Sequence, residues 1–176
     1  LTQLAVDPLV AATAYATFSG FGQCSGCDAL GHVFKTTNGG NTWADISGTN
    51  VGAPPGCGAL PDTPANDLVL DPDLPATLYL ATDIGVFASA NDGLHWCPLV
   101  TGLPRVAVLS LKLRRASRTL RAATHGRSVW DLQLPDARTF FLRSLAPVTA
   151  SAGASAPLTL TVNGAGFSGS SVVRWN

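Results

Sequence analysis

The strongest constraint on this chain is a motif that occurs twice, each time in the same context. The octet at 36–43 (TTNGGNTW) recurs at 89–96 (SANDGLHW). Each octet follows an apolar run that ends in Asp-Pro and a strand-like segment with a Thr-x-Tyr core. The apolar runs are residues 4–8 for the first octet and 68–72 for the second. The strand-like segments are residues 13–17 and 77–82. Repeats of roughly 40–50 residues are typical of propellers, solenoids and arrays, so one supersecondary unit is expected to recur.

The pattern within one copy predicts four antiparallel strands. In the second copy the predicted strands are 67–70, 77–82, 85–89 and 95–99, and Asp92-Gly93 favours a tight turn before the fourth. A degenerate third copy follows at 109–130. The predicted fold class is therefore all-β, with about two and a half four-stranded propeller blades in an incomplete ring over residues 1–134. Trp43, Trp96 and Trp130 are expected in equivalent buried positions.

Both octets resemble the Asp-box, also called the BNR repeat, of sialidases, sortilin-like proteins and xyloglucan-cleaving glycosidases. Asparagine replaces the aspartate in each copy, and His95 stands where threonine is usual. The matching positions are Thr36, Asn38, Gly40, Thr42 and Trp43 in the first copy, and Ser89, Asn91, Gly93 and Trp96 in the second. The resemblance implies a structural role for the box, away from any catalytic centre. Residues 121–130 are similar to the last blade of secreted bacterial propellers of the sortilin-like type.

After a linker at 135–139, residues 140–176 resemble the start of a TIG-type immunoglobulin-like domain. The resemblance rests on a Gly-x-Gly-Phe sequence at 164–167 and a Val-x-Trp sequence at 173–175. Such a domain needs about 80–100 residues for its two sheets, so this segment would be incomplete. Open strand edges need partners. We therefore expect other protein chains, or more of the same polypeptide, to complete both sheets.

Composition excludes several classes of protein. With 46% hydrophobic and 12% charged residues the chain is not disordered, and no apolar run spans a membrane. Nine of the eleven aspartates precede Arg105, whereas ten of the eleven basic residues lie from Arg105 onward. No aromatic residues alternate with the arginines, so nucleic-acid binding is not expected. The absence of methionine indicates a processed or internal fragment, and we expect a secreted or cell-surface protein.

Four cysteines leave three alternatives open: disulfides, free thiols or a metal site. Cys24-Ser25-Gly26-Cys27 has the spacing of a zinc knuckle, but Cys57 and Cys97 do not form a second matching pair. Insertions at 20–31 and 49–65 would emerge on the same face of a blade. Cys57 is therefore predicted to bond Cys24 or Cys27, with Cys97 as the unpaired thiol.

The choice of function lies between an enzyme and a binding or scaffold module. Sialidases of this fold type use a Tyr–Glu pair, and the chain has no glutamate. Tyr15 and Tyr79 occupy equivalent strand positions, which favours packing, and His32, His95 and His125 are interpreted as structural. We predict no catalytic, cofactor-binding or metal-ligating residue. We favour the interpretation that the chain is a non-catalytic module. Its role would be adhesion, carbohydrate or protein recognition, or assembly outside the cell. The alternative is that it is part of a glycoside hydrolase or sialidase-like propeller whose catalytic residues lie on other blades.

Overall fold

The structure is a computed structural model that describes residues 1–22, 31–100 and 102–135, together with two strands further on. Its contacts divide the chain into two units, Leu1–Leu134 and Pro135–Asn176. In the first unit, antiparallel pairing builds two four-stranded sheets and one three-stranded sheet. The prediction of an all-β fold with propeller-type blades is therefore confirmed.

Blade 1 contains β1–β4, blade 2 contains β5–β8 and blade 3 contains β9–β11, each paired in chain order. The strands are β1 Gln3–Val6, β2 Ala14–Thr17, β3 Val33–Thr36, β4 Ala44–Asp45, β5 Ala65–Leu70, β6 Leu78–Thr82, β7 Gly85–Ser89, β8 Cys97–Pro98, β9 Val108–Arg114, β10 Thr119–Thr124 and β11 Val129–Gln133. The helical content of the described part is a single 3-10 turn at Arg115–Ser117. No helix there is long and apolar enough to cross a membrane.

Blade 2 is buried on both faces, which explains its almost continuous apolar strands. Side chains alternate between the two faces of a sheet. The row that contains Leu68, Leu80 and Phe87 packs toward blade 1, whereas the neighbouring row with Val69, Tyr79 and Ala88 packs toward blade 3. All five residues of β6 are buried as a result.

Two apolar layers hold the three blades together. The layer between blades 1 and 2 includes Tyr15, Val33, Leu68, Leu80 and Trp96, all of them buried. The layer between blades 2 and 3 is built from Tyr79, Ala81, Val86, Val108, Leu111, Leu120 and Ala122. Each blade thus supplies one wall of a layer and cannot bury its own apolar face alone.

The second unit contains one antiparallel pair, β12 (Phe141–Ala146) with β13 (Thr161–Ala165), in which Phe141 lies opposite Ala165. The Val-x-Trp part of the predicted TIG-type segment lies outside the described residues. The prediction of an immunoglobulin-like start at 140–176 therefore stays a prediction.

The predicted burial of Trp43 is wrong. Trp96 is 1% exposed, but Trp43 and Trp130 are each 41% exposed. Blade 1 covers Trp96, whose indole nitrogen donates to the Ile46 carbonyl at 2.9 Å. No described blade lies against Trp43 in the same way, and Trp130 donates instead to the Arg127 carbonyl in its own turn. Equivalence in the repeat therefore does not give equal burial.

The predicted cysteine pairing is also wrong, because Cys57 is bonded to Cys97. The connection after blade 1 does not stay at one end of the blades. It runs back along the fourth strand of blade 2, where Gly58 and Trp96 exchange backbone hydrogen bonds. This bridge brings Cys57 next to Cys97. Cys24 and Cys27 lie outside the described residues, and no described cysteine is free.

We predict that removing this disulfide weakens the contact between blades 1 and 2. The bond closes a loop with a sequence separation of 40 residues, and such cross-links stabilise by about 2–4 kcal/mol, mainly by restricting the unfolded chain. The Cys57→Ser/Cys97→Ser double variant should lose that amount in urea unfolding. Rapid labelling of Cys57 in the unreduced native protein would contradict the assignment.

Candidate functional site

The two Asp-box turns use the same hydrogen bonds. In the first, the Thr36 hydroxyl donates to Asn38 Oδ1 at 2.9 Å and accepts from the Gly40 amide at 3.0 Å. Asn38 Oδ1 also accepts from the Thr42 amide at 2.9 Å. Ser89, Asn91, Gly93 and His95 repeat this arrangement. The Asn side chain thus closes its own turn, as short polar side chains do in Asx-type turns.

His95 replaces the usual threonine and extends the turn to a neighbouring segment. In the first box Asn38 Nδ2 donates to Thr42 Oγ1 at 2.8 Å. In the second, Asn91 Nδ2 lies 3.0 Å from His95 Nδ1, which must accept, and His95 Nε2 therefore donates to the Val51 carbonyl at 3.0 Å. The histidine ties the connection after blade 1 to the turn of blade 2.

The second turn also contributes a polar cluster at the boundary of blades 1 and 2. Asp92 has a positive φ of 59° and carries its carboxylate toward blade 1. There it accepts from the Tyr15 hydroxyl at 3.1 Å and forms an ion pair with the Lys35 ammonium group. The ammonium nitrogen is 5.5 Å from the centre of the Tyr15 ring, within the range of a cation–π contact.

A cleft of about 440 Å³ opens beside this cluster, and we call it the turn-side cleft. Its walls come from the Asp-Pro turns of blades 1 and 2, which lie at the same end of the strands as the box turns. Polar groups of Asp7, Lys35 and Asp92 face apolar walls. The apolar lining includes Pro8, Leu9, Val10, Leu70, Pro72, Pro75 and Leu78.

Both tyrosines of the chain are buried and hard to ionise. Burial, followed by the nearby Asp92 carboxylate, raises the pKa of Tyr15 well above its usual value. Burial and then Asp71 raise the pKa of Tyr79 to about 12, although Arg118 acts in the opposite direction. Both phenols stay neutral near neutral pH, their rings pack in the two apolar layers, and the Tyr15 hydroxyl donates to Asp92.

We predict that the native protein shows no phenolate absorption at pH values where free tyrosine ionises. The unfolded pKa is 10.0 and the folded values are higher, so the contribution of the neutral phenols to stability is complete below about pH 10. It is lost as the pH rises toward 12. A spectrophotometric titration should give a delayed, cooperative step, while a urea-unfolded control titrates near pH 10. A native-state midpoint near 10 for either phenol would contradict the burial, and Tyr79→Phe identifies its share of the signal.

A buried ion pair joins blade 2 to blade 3. Arg118, in the turn before β10, donates to both carboxylate oxygens of Asp71 at 2.8 and 2.7 Å. The side chains are 8% and 0% exposed. Arg115 adds an outer pair with Asp73. The guanidinium fork fits a carboxylate with two parallel hydrogen bonds, which fixes the relative position of two turns as well as neutralising charge.

We predict that Arg118→Met costs about 3 kcal/mol of stability, because it leaves the Asp71 carboxylate buried without a counter-charge. Urea unfolding measures the loss. Arg121→Met is the matched control. The ion pair of Arg121 with Asp131 is exposed to solvent, so little change in the free energy of unfolding is expected. Equal effects for the two variants would show that the Asp71–Arg118 pair does not join the blades.

The other histidines do not meet a catalytic constellation in the described residues. His32 is buried, and its Nε2 lies 3.1 Å from Asp62 Oδ1, which also accepts the Gly22 amide. The backbone amide of His32 donates to Ser47 Oγ, so that hydroxyl is used by the main chain. His125 donates its own backbone amide to the Ala107 carbonyl.

The carboxylates of the described part all have structural partners. Each of its nine aspartates accepts at least one hydrogen bond from a backbone amide, a side-chain amide, a hydroxyl, an imidazole or a cation. The acceptors are Asp7, Asp45, Asp62, Asp67, Asp71, Asp73, Asp83, Asp92 and Asp131. Within the same residues no group of three or more His, Cys, Asp or Glu could hold a metal ion.

The sequence predicts the turn residues, but it does not predict the turn-side cleft or the ion pairs between blades. Lys35 and Tyr15 are opposite one another in the β2–β3 register, so their shared face was readable from the repeat. The contact of both residues with Asp92 of the next blade could not be predicted, because the sequence of one repeat does not determine the rotation between two blades. Asp71 appeared only as part of an Asp-Pro turn.

Comparison with solved structures supports the propeller-type fold. The chain is similar to the Niastella koreensis GH74 enzyme, with a TM-score of 0.53 and 19% sequence identity over 82% of this chain and 24% of that one. It is also similar to an ancestral GH74 enzyme, with a TM-score of 0.45 and 20% identity over 77% of this chain and 17% of that one. This chain therefore spans about a quarter of the length of the first enzyme. No family model matches the sequence, and no curated protein does.

Proposed function

We propose that residues 1–134 are a non-catalytic binding or scaffold module of a secreted β-propeller protein, and that the turn-side cleft is its recognition surface. The observation that carries this proposal is that every described aspartate is engaged in a structural hydrogen bond. Glycosidases of related folds use two carboxylates, one as acid and one as base or nucleophile. Carboxylates already committed to turns and ion pairs favour recognition over hydrolysis.

The chemistry of the turn-side cleft suits a carbohydrate. A volume of about 440 Å³ lies within the roughly 300–1,000 Å³ range of small-ligand pockets. Sugars have apolar ring faces and hydroxyl edges. The rigid rings of Pro8, Pro72 and Pro75 offer flat apolar contacts, and the Lys35 ammonium group beside them has donors beyond its ion pair with Asp92. We therefore infer a polysaccharide or glycoprotein glycan as the ligand class.

The Cys57–Cys97 disulfide supports a location outside the reducing cytosol. Structural disulfides persist in secreted and surface-exposed proteins, while cytosolic thiols are kept reduced. We also propose that the β12–β13 pair belongs to a TIG-type immunoglobulin-like segment that follows the blades. A propeller followed by such a segment suits a protein that works at or beyond the cell surface.

The second candidate function is part of a glycoside hydrolase propeller. It is favoured by the similarity to the Niastella koreensis GH74 enzyme, which this chain matches over 24% of that enzyme's length. In that case the catalytic carboxylates lie on blades other than the three described here. The present residues would then hold the propeller together and line part of the substrate path.

We predict that the chain is retarded in affinity electrophoresis by at least one soluble polysaccharide in a panel that includes xyloglucan. Leu9→Asp should abolish the retardation without loss of stability, because Leu9 lines the cleft but is 68% exposed. Leu109→Asp, at a 52% exposed position on blade 3, is the matched control.

Reducing ends are measured in the same incubations. No release is expected from this chain. Release that exceeds the blank and is lost on substitution of an aspartate would contradict the non-catalytic proposal and favour the glycosidase. If the Leu9→Asp variant is still retarded, the binding surface lies outside the turn-side cleft.

A further inference from the structure

The Asp-Pro turns of blades 1 and 2 have the same construction. The main-chain amides of Asp7 and Asp71 donate to the carbonyls of Thr13 and Thr77, at 2.9 and 3.0 Å. In each turn one carboxylate oxygen accepts the amide of the second residue further on, at 2.8 Å for Asp7 and 3.1 Å for Asp71. The two carboxylates therefore occupy equivalent places at the same end of their blades.

The blade that follows each of these turns contributes a residue at one fixed repeat position. Strand register aligns Leu78 of blade 2 with Leu120 of blade 3, because each lies opposite the last apolar residue of its first strand. The residue two positions earlier is Ala76 in blade 2 and Arg118 in blade 3. Both have a positive φ, of 68° and 50°. Ala76 and Arg118 are therefore the same position of the repeat.

An arginine completes the contact of the turns between blades 2 and 3, but not between blades 1 and 2. Arg118 donates to both carboxylate oxygens of Asp71. At the other boundary Ala76 takes its place, and both Asp7 and Ala76 line the turn-side cleft. Within the part of the chain that the structure describes, no cation forms an ion pair with Asp7. Part of the cleft therefore corresponds to the space that an arginine side chain fills one repeat later.

The lysine of the cleft does not supply the missing charge. The Lys35 ammonium group forms its ion pair with Asp92, on the neighbouring turn. Burial and then Asp92 raise the pKa of Tyr15, and the charge of Asp7 adds to both, so this half-buried carboxylate lies close to the cluster. The buried ion pair between blades 2 and 3 is neutral. The charged residues that line the cleft thus leave the negative charge of Asp7 without a counter-charge.

We propose that Asp7 forms a cation subsite of the turn-side cleft, and that the ligand is a glycan that carries a positively charged amino group. This inference rests on the proposed function, because the subsite lies in the same cleft, and it adds the class of sugar. The ammonium group lies against Asp7 as the guanidinium group of Arg118 lies against Asp71. An ammonium group offers three N–H donors to the carboxylate, whereas a uronate would be repelled.

A substitution at Ala76 tests the geometry of the subsite without any ligand. Ala76→Arg places a guanidinium group at the repeat position of Arg118, where arginine already adopts a positive φ. We expect the equilibrium constant for unfolding in urea to fall about tenfold relative to Ala76→Met, because the new side chain forms a hydrogen-bonded ion pair with Asp7. In an Asp7→Asn background, which keeps an oxygen for the turn, arginine should give no such gain. An arginine that stabilises no more than methionine would overturn the subsite.

Titration calorimetry of the 176-residue chain tests the ligand class with a matched pair of saccharides. One is an oligomer of glucosamine, at a slightly acid pH that keeps its amines charged, and the other is the same oligomer with every amine acetylated. We expect the charged oligomer to bind about tenfold more tightly, because only its ammonium group pairs with Asp7. Asp7→Asn should remove that preference. Ala76→Arg should abolish binding of the charged oligomer, because its own guanidinium group occupies the subsite.

The outcomes separate the subsite from the proposed function on which it rests. Equal binding of the two oligomers, or a preference for the charged one that survives Asp7→Asn, overturns the subsite and leaves glycan binding intact. Arginine amide is titrated as a third probe. If it binds in a manner that depends on Asp7 and neither oligomer binds, the ligand is a guanidinium group and the amino sugar is wrong. If none of the three probes binds, the subsite is overturned whatever polysaccharide retards the chain in electrophoresis.

Discussion

Burial of both faces of the second blade is the interaction on which the rest of the first unit depends. Its strands carry apolar residues at successive positions, so neither face can be left in water without a large cost in free energy. Blade 1 closes one face and blade 3 closes the other. The box turn of blade 2, the disulfide and the turn-side cleft all lie where blade 2 meets blade 1 or the connection that follows it.

The Asp-box turn takes part in this packing through its main chain. Its first polar residue and its asparagine close the loop from within, so the backbone after the turn is held in a fixed direction. Gly93 can then sit against the Ile46 carbonyl, and Trp96 can donate to that same oxygen. A local hydrogen-bond pattern thereby determines how closely two sheets approach. This is why a motif without catalytic groups can be retained at the same place in successive blades.

Local periodicity made much of the architecture readable from the sequence. The strands of the second copy were expected at 77–82 and 85–89 and occur at Leu78–Thr82 and Gly85–Ser89. The packing of one repeat against another was harder to predict from the sequence. The path of the 49–65 connection along β8 depends on pairings between repeats that have no sequence signal, namely the bridge between Gly58 and Trp96, the His95–Val51 hydrogen bond and the Cys57–Cys97 disulfide. Trp43 is exposed because no described blade packs on it, whereas a repeat-based argument treats all copies as equally surrounded.

Part of the uneven charge of the chain is paired at the contact between blades 2 and 3. Most aspartates precede Arg105 and nearly all basic residues follow it. Asp71 and Asp73 of the blade 2 turn pair with Arg118 and Arg115 of the blade 3 turn. For these four residues the asymmetry supplies counter-charges across the boundary between two blades. It also distinguishes the contact of blade 2 with blade 3, where Asp71 and Arg118 form a buried ion pair, from the contact with blade 1, where Trp96 lies in an apolar layer.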